Sequence, residues 1–197
     1  FNLTAAGNID QTAALVADTL TVTNTGGTTA LTQGGNNVSN LGAVDATGGD
    51  FNLTNNVALT LTGQVNAGGS TFNINTGTNE VTFAVGGANV TASFVNITAQ
   101  DVDDLNTIGT LSANVTLAPD AVADTMRLAV SDNSDFTLTA NDIAELASAI
   151  GAVTLGQNGQ NGDLTLGGDA DFGSRNVTIN SGNINNSTNT ITADTLS

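Results

Sequence analysis

The sequence predicts an all-β solenoid, a single-stranded parallel β-helix of about nine coils of roughly 21 residues, filling residues 1–197 as one segment. Three observations predict it. The chain holds 32 Thr, 27 Asn and 23 Gly; Thr, Val, Ile and Phe favour strands, whereas Gly, Asn and Asp favour tight turns. Period-2 alternation marks short strands at Phe51-Asn52-Leu53-Thr54, Leu59-Thr60-Leu61-Thr62, Phe72-Asn73-Ile74-Asn75 and Val81-Thr82-Phe83-Ala84-Val85, with apolar side chains on one face and Asn or Thr on the other. Large apolar residues then return at a fixed interval: Phe51, Phe72, Phe94, Val115 and Phe136 lie 21 or 22 residues apart. A sandwich has no reason for that interval. A β-helix has one, because each coil stacks its core residues on those of the coil before.

Extending the register places Ile9 and Leu31 before this series, and Leu155, Val177 and Leu196 after it. At ~4.8 Å per strand, nine coils make a rod about 43 Å long. Phe51, Phe72 and Phe94 are expected to share one buried column. Gly-Gly pairs, among them those beginning at 26, 48, 68 and 86, are expected at corners, where Gly supplies positive φ. The doubled Asn residues 36–37, 55–56 and 185–186 are expected in turns, with their amides laddered between coils.

Two further repeats are superimposed. Thr98-Ala99-Gln100-Asp101-Val102-Asp103-Asp104-Leu105 matches Thr139-Ala140-Asn141-Asp142-Ile143-Ala144-Glu145-Leu146. Both open on Thr-x-x-Asp, a capping-box pattern, so two short helices, near 101–106 and 142–149, are expected side by side on the rod. The second continues through Ile143, Leu146 and Ile150 and stops at Gly151. Gly7-Asn8-Ile9 with Ala17-Asp18-Thr19-Leu20 reappears near the other end as Gly182-Asn183-Ile184 with Ala193-Asp194-Thr195-Leu196. This predicts that the last coil repeats the first, as in a longer array. The opening at Phe1, within a strand-like stretch, reads as an excised or processed piece.

Charge narrows the function. Two Arg, Arg127 and Arg175, face 18 acidic residues, for a net charge of −16, and Lys, His, Cys, Trp and Tyr are absent. Nucleic-acid binding and attachment to an anionic membrane need several cations, so both are excluded as partners. Catalysis by His, Cys, Lys or Tyr, disulfides, and the usual zinc, haem and iron–sulfur ligand sets are excluded with them. Charged residues make up 10% and apolar residues 39%, against about 25% charged in an average domain, so this is no disordered acidic tail. No apolar run approaches the ~18 residues of a membrane span, so no direct membrane insertion is expected.

Carboxylates are the remaining catalytic groups. Asp101 and Asp103 have the spacing of a paired-acid hydrolase site, but the 41-residue repeat replaces Asp103 with Ala144 and puts the pair at a helix start, where acids favour the dipole. Gly159-Gln160-Asn161-Gly162-Asp163-Leu164, with Asp169 and Asp171 nearby, has some character of a calcium turn; calcium wants 6–8 oxygens, and an Asn/Gly turn explains the same residues. Thr-x-Thr pairs such as Thr19-Leu20-Thr21 and Thr60-Leu61-Thr62 sit at different offsets from the core register, unlike the aligned hydroxyl array of an ice-binding face. Asn-x-Ser/Thr sequons begin at nine positions, Asn52 and Asn96 among them, as chance provides in such a composition. The expectation is no catalytic, metal or cofactor-binding residue, no cofactor, and no enzymatic activity.

Residues 7–22 and 31–44, from Gly7-Asn8-Ile9-Asp10-Gln11 through Leu20-Thr21-Val22, then Leu31 through Asn36-Asn37-Val38 to Leu41-Gly42-Ala43-Val44, resemble the repeat region of filamentous-haemagglutinin-like exoproteins. So does Leu138-Thr139-Ala140 through Leu146 to Val153-Thr154-Leu155-Gly156. The resemblance implies a right-handed β-helical shaft in a large bacterial protein that is secreted or held at the cell surface. It also implies export by two-partner secretion and a role in adhesion, aggregation or biofilm. Expected partners are further repeats of the same parent chain or copies joined end to end, and a cell-surface receptor or glycan. The other reading is a β-helical carbohydrate-binding or polysaccharide-degrading domain, which a cleft of convergent carboxylates would favour.

Overall fold

The computed structural model of the chain describes residues 1–84, 86, 89–105, 111–131, 135–148, 151–186 and 188–197, with the backbone alone at 111 and 112. The strands are short and every pairing between them is parallel. They stack as a β-solenoid of about nine turns, roughly 21 residues apart. Parallel strands of a few residues cannot be joined by hairpins. Here each coil instead turns through three faces and returns one strand higher.

Face one holds one strand per coil, in the register Ile9, Thr29, Phe51, Phe72, Val95, Val115, Val153, Val177, Leu196. Two positions along, a second inward column runs Leu31, Leu53, Ile74, Ile97, Leu117, Leu155, Ile179. Face two stacks Leu20, Leu41, Leu61 and Phe83. Face three stacks Leu3, Val22, Val44, Val65 and Val90. The inward side chains of all three faces merge into one apolar cluster along the rod. Phe51 and Phe72 stack within it, with ring centroids 5.3 Å apart and planes 19° from parallel.

Four expectations about register are corrected. Phe94 does not continue the Phe51–Phe72 column. The register slips between Thr91 and Phe94, Val95 takes the place above Phe72, and the Phe94 ring is 51% exposed. One extra residue suffices, because a one-residue slip turns every side chain to the other face. Leu31 and Leu155 belong to the second inward column, while Thr29 and Val153 occupy the first. Phe136 is buried, but on face two, where it pairs with Met126. The terminal repeat is not structural. Ile9 lies on face one and Ile184 on face two; Leu20 lies on face two and Leu196 on face one.

The coil that leaves Val115 takes 38 residues to reach Val153. On face two it lays down Met126–Leu128, then doubles back so that Phe136–Leu138 lies between that strand and Val102–Asp103. On face three it replaces a strand with the helix Ala140–Ser148, which packs against Leu111–Pro119 and Ala170–Asp171. Thr139 and Asp142 form the capping box: the Thr139 N–H and hydroxyl donate to Asp142 Oδ2 at 3.0 and 2.6 Å, and the Asp142 N–H donates to Thr139 Oγ1 at 3.3 Å. Ile143 and Leu146 bury the inward side. The matching helix near 101–106 is not formed over residues 101–104, and Leu105 stands in a 3-10 turn; residue 106 lies outside the described residues, as do 149 and 150 of the second. Val102–Asp103 is a strand paired with Val81–Thr82. Thr98 and Ala99 are held in the face-one ladder, so Thr98 is not free to cap a helix.

Polar groups close the corners. Asn66 and Asn75 each accept the N–H of a glycine two residues on, at 3.1 and 2.9 Å, and Gly68 and Gly77 take φ of 55° there. The pair at 48–49 is needed for a different reason: a Cβ on Gly48 would lie 2.2 Å from Gly26 N in the coil below. Asn36 and Asn55 are buried at corners, as their doublets suggest; the Asn36 amide pairs with the Gln11 amide of the coil below, donating to its Oε1 at 3.1 Å and accepting from its Nε2, and both Asn also bind backbone. Asn36 Nδ2 donates to Leu31 O and Thr54 O at 3.0 and 2.9 Å, and its Oδ1 accepts Leu15 N–H at 2.8 Å, joining three successive coils. Asn55 accepts Val38 N–H and donates to Val38 O, both at 2.9 Å.

Truncating Phe72 to Ala is expected to cost about 3–5 kcal/mol, because its ring is wholly buried and stacked. Phe94→Ala should change stability by no more than about 0.5 kcal/mol. Urea unfolding followed by circular dichroism checks both; equal effects would contradict a register in which Val95, and not Phe94, stands above Phe72.

Candidate functional site

Polar side chains gather outside the core in three places. The first is a set of clamps between coils. Asp50 Oδ1 accepts Thr71 N–H at 2.9 Å, Asp163 Oδ1 accepts Asn183 N–H at 3.0 Å, and Asp169 Oδ1 accepts Thr190 N–H at 2.7 Å. Each carboxylate sits immediately before a strand and holds the same corner one coil later. Asp163 also accepts Nδ2 of Asn183 and Asn185, at 2.9 and 3.0 Å. These hydrogen bonds, those from Asn183 first, hold its pKa below the ordinary 3.8. The backbone N–H of Thr190, then its hydroxyl, does the same for Asp169. Of the carboxylates read as a calcium turn, Asp163 and Asp169 are therefore engaged in stacking, and Asp171 Oδ1 accepts Gly173 N–H at 2.9 Å within its own turn. Among the described residues no group of three or more acidic side chains is placed to hold a metal ion.

The second place is a cleft of about 550 Å³ beside the enlarged coil, lined by Asp120, Asp124, Asp135, Thr78, Gln100 and Phe136. The 120–124 turn brings its two carboxyls together, with Ala121 N–H donating to Asp124 Oδ2 at 3.2 Å. Burial raises the Asp120 pKa, and the hydrogen bond and charge of Asp124 raise it further. Asp135 pairs with Arg127 at 3.1 Å across an exposed surface. Two neighbouring carboxyls that disfavour each other's ionisation can hold one proton between them. Sequence reasoning missed this cleft, since its signal, two Asp four apart just after the single Pro, means nothing until the turn is formed.

Asp101 and Asp103 stand in different surroundings. Asp101 is buried, and its Oδ1 accepts Val102 N–H at 2.9 Å and Thr137 N–H at 2.8 Å, which ties the doubled-back strand to the coil beneath. Asp103 lies on the outward side of its strand, in register with Thr82. The Thr-x-Thr pairs are dispersed. Thr60 stacks between Asn40 and Thr82, and Thr137 is buried.

The third place is a trough of about 200 Å³ on the outward side of face one, where two rows run along the rod. Asn52, Asn73 and Asn96 form one row, and Thr54, Asn75 and Thr98 the other. Asn73 Nδ2 donates to Asn52 Oδ1, and Asn96 Nδ2 to Asn73 Oδ1, both at 2.7 Å. Beyond the Gln11–Asn36 pair, the longest amide ladder is built by single Asn residues, one after each of Phe51, Phe72 and Val95.

Comparison with protein-family models, with curated proteins and with solved structures gives no match.

The clamps predict acid sensitivity at the carboxyl-terminal coils. A carboxylate with a folded pKa below its unfolded value of about 3.9 contributes stability above that value, and the contribution is lost as pH falls through the folded pKa. Amide protection at Asn183 and Thr190, corrected for intrinsic exchange, should therefore hold down to about pH 4 and fall below it. Asp163→Asn should remove that fall at Asn183 and leave it at Thr190; an unchanged pH profile would refute the clamp.

Proposed function

We propose that this chain is a shaft segment of a secreted or cell-surface bacterial adhesin or filament of the filamentous-haemagglutinin-like kind, working by extending and connecting without catalysis. The observation that carries this reading is the continuity of the stack. The first inward column of face one runs from Ile9 to Leu196 without a break, and apolar side chains are exposed at both ends. Phe1 and Val16 are exposed at one end, beside a concavity lined by Leu3, Ile9, Leu15 and Leu31, and Ile184 and Leu196 are exposed at the other. Unpaired edges over an apolar interior suit the docking of another coil, from the same parent chain or a second copy. The outward positions of the strands are mostly Thr and Asn. The resemblance of residues 7–22, 31–44 and 138–156 to the repeats of that family supports export and the bacterial surface as the setting.

A polysaccharide-degrading domain is the second reading, favoured by the Asp120–Asp124–Asp135 cleft. Against it, Asp135 is already paired with Arg127, and the Asp120 carboxyl is engaged with its neighbour Asp124 in the same short turn.

The shaft reading predicts end-to-end association that salt strengthens. The flanks carry most of 18 carboxylates against two Arg, so rods repel side by side; salt at ~0.15 M shortens the screening length to about 8 Å and leaves burial at the ends intact. Light scattering and electron microscopy at low and moderate salt should show growing end-on fibres. Particles that stay monomeric at high concentration, or lateral sheets without fibres, would sink the reading.

A further inference from the structure

The trough on face one combines an uncharged lining, ordered amides and an exposed aromatic neighbour. No charged residue lines it, although the chain carries −16. Its amides are oriented in advance by the ladder. An amide nitrogen has two hydrogens, so Asn73 and Asn96 each keep one donor after making the rung below. Asn75 Oδ1 accepts Gly77 N–H, which leaves its Nδ2 hydrogens for another acceptor.

Phe94 lies on the same outward side of the same strand as Asn96, two residues away, or about 6.6 Å along the strand. Its ring is half exposed for want of a place in the core. An exposed aromatic face beside fixed amide and hydroxyl groups matches one kind of ligand: a sugar ring, apolar over its C–H face and rich in hydroxyls at its edge. The field of the rod repels anions, and the trough offers no carboxylate to a cation. The rows run along the rod at ~4.8 Å per rung, so a linear ligand lies parallel to the axis.

We propose that this trough binds an uncharged glycan chain along the rod, with Phe94 stacked on one sugar and Asn73, Asn75 and Asn96 hydrogen-bonded to its hydroxyls. The inference rests on the geometry of face one and not on the shaft reading; rods that never associate would leave it standing.

The test is nuclear magnetic resonance of the full chain, following the Asn side-chain amides. The probes are cellotetraose, laminaritetraose and N-acetylchitotetraose at millimolar concentration, with tetragalacturonate as the anionic comparison. At least one neutral tetrasaccharide should shift the signals of Asn73 and Asn96, and tetragalacturonate should shift neither. Phe94→Ala, which leaves the core intact, should weaken binding about three- to tenfold, and Asn73→Asp should abolish it, with melting curves confirming that both variants fold. Three results would overturn the proposal: no shift with any neutral probe, shifts confined to the Asp120–Asp124 cleft, or both variants binding like the parent.

Discussion

Every part of this molecule answers to the parallel ladder between coils. A strand of three or four residues has no stability alone, and parallel strands pair slightly less well per residue than antiparallel ones. Each must be held on both sides by its counterparts one turn away. That demand fixes the perimeter: the chain must leave a face, go round and re-enter it in register, or the backbone groups of both coils are left open. The apolar columns follow from it, since register places like side chains over one another; the stacking of Phe51 on Phe72 is the visible case. Buried amides serve it too. At the corners, where the ladder lapses, Asn36 and Asn55 supply the bonds that strands supply elsewhere, as buried backbone groups require.

The same demand explains which features are legible in the sequence. The strands around Phe51, Phe72 and Val81 declare themselves, because one face is apolar and the other polar at period two. The helix after Thr139 is equally plain, its cap and its inward residues all lying within one short stretch. The Asn ladder has a signal too: an Asn follows each of Phe51, Phe72 and Val95, and only the expectation that Phe94 holds the column hides the third.

What cannot be read is whatever depends on the path between strands. Phe136 returns at the expected count but on a different face, because spacing counts residues and the core counts levels. The slip before Phe94 and the doubling back after Met126–Leu128 both alter that count without leaving a signature in composition. The first Thr-x-x-Asp fails as a helix start for a related reason: Thr98 is already committed to neighbours above and below, and a ladder on both sides outweighs a local preference. The acidic cleft has the same origin, for its carboxyls come from the turn after Pro119 and the loop before Phe136.

The enlarged coil has a consequence for the form of the rod. Between Val115 and Val153 face one gains a single strand, while face two gains two and face three a helix about as wide as two strands. Two sides therefore rise roughly 5 Å more than the third over one turn. Across a section some 10–20 Å deep, that wedge inclines the axis of the upper coils by on the order of 20° toward face one. The inserted residues thus act as a joiner's mitre, giving a structure built of straight repeats one defined change of direction, and the acidic cleft lies beside that elbow.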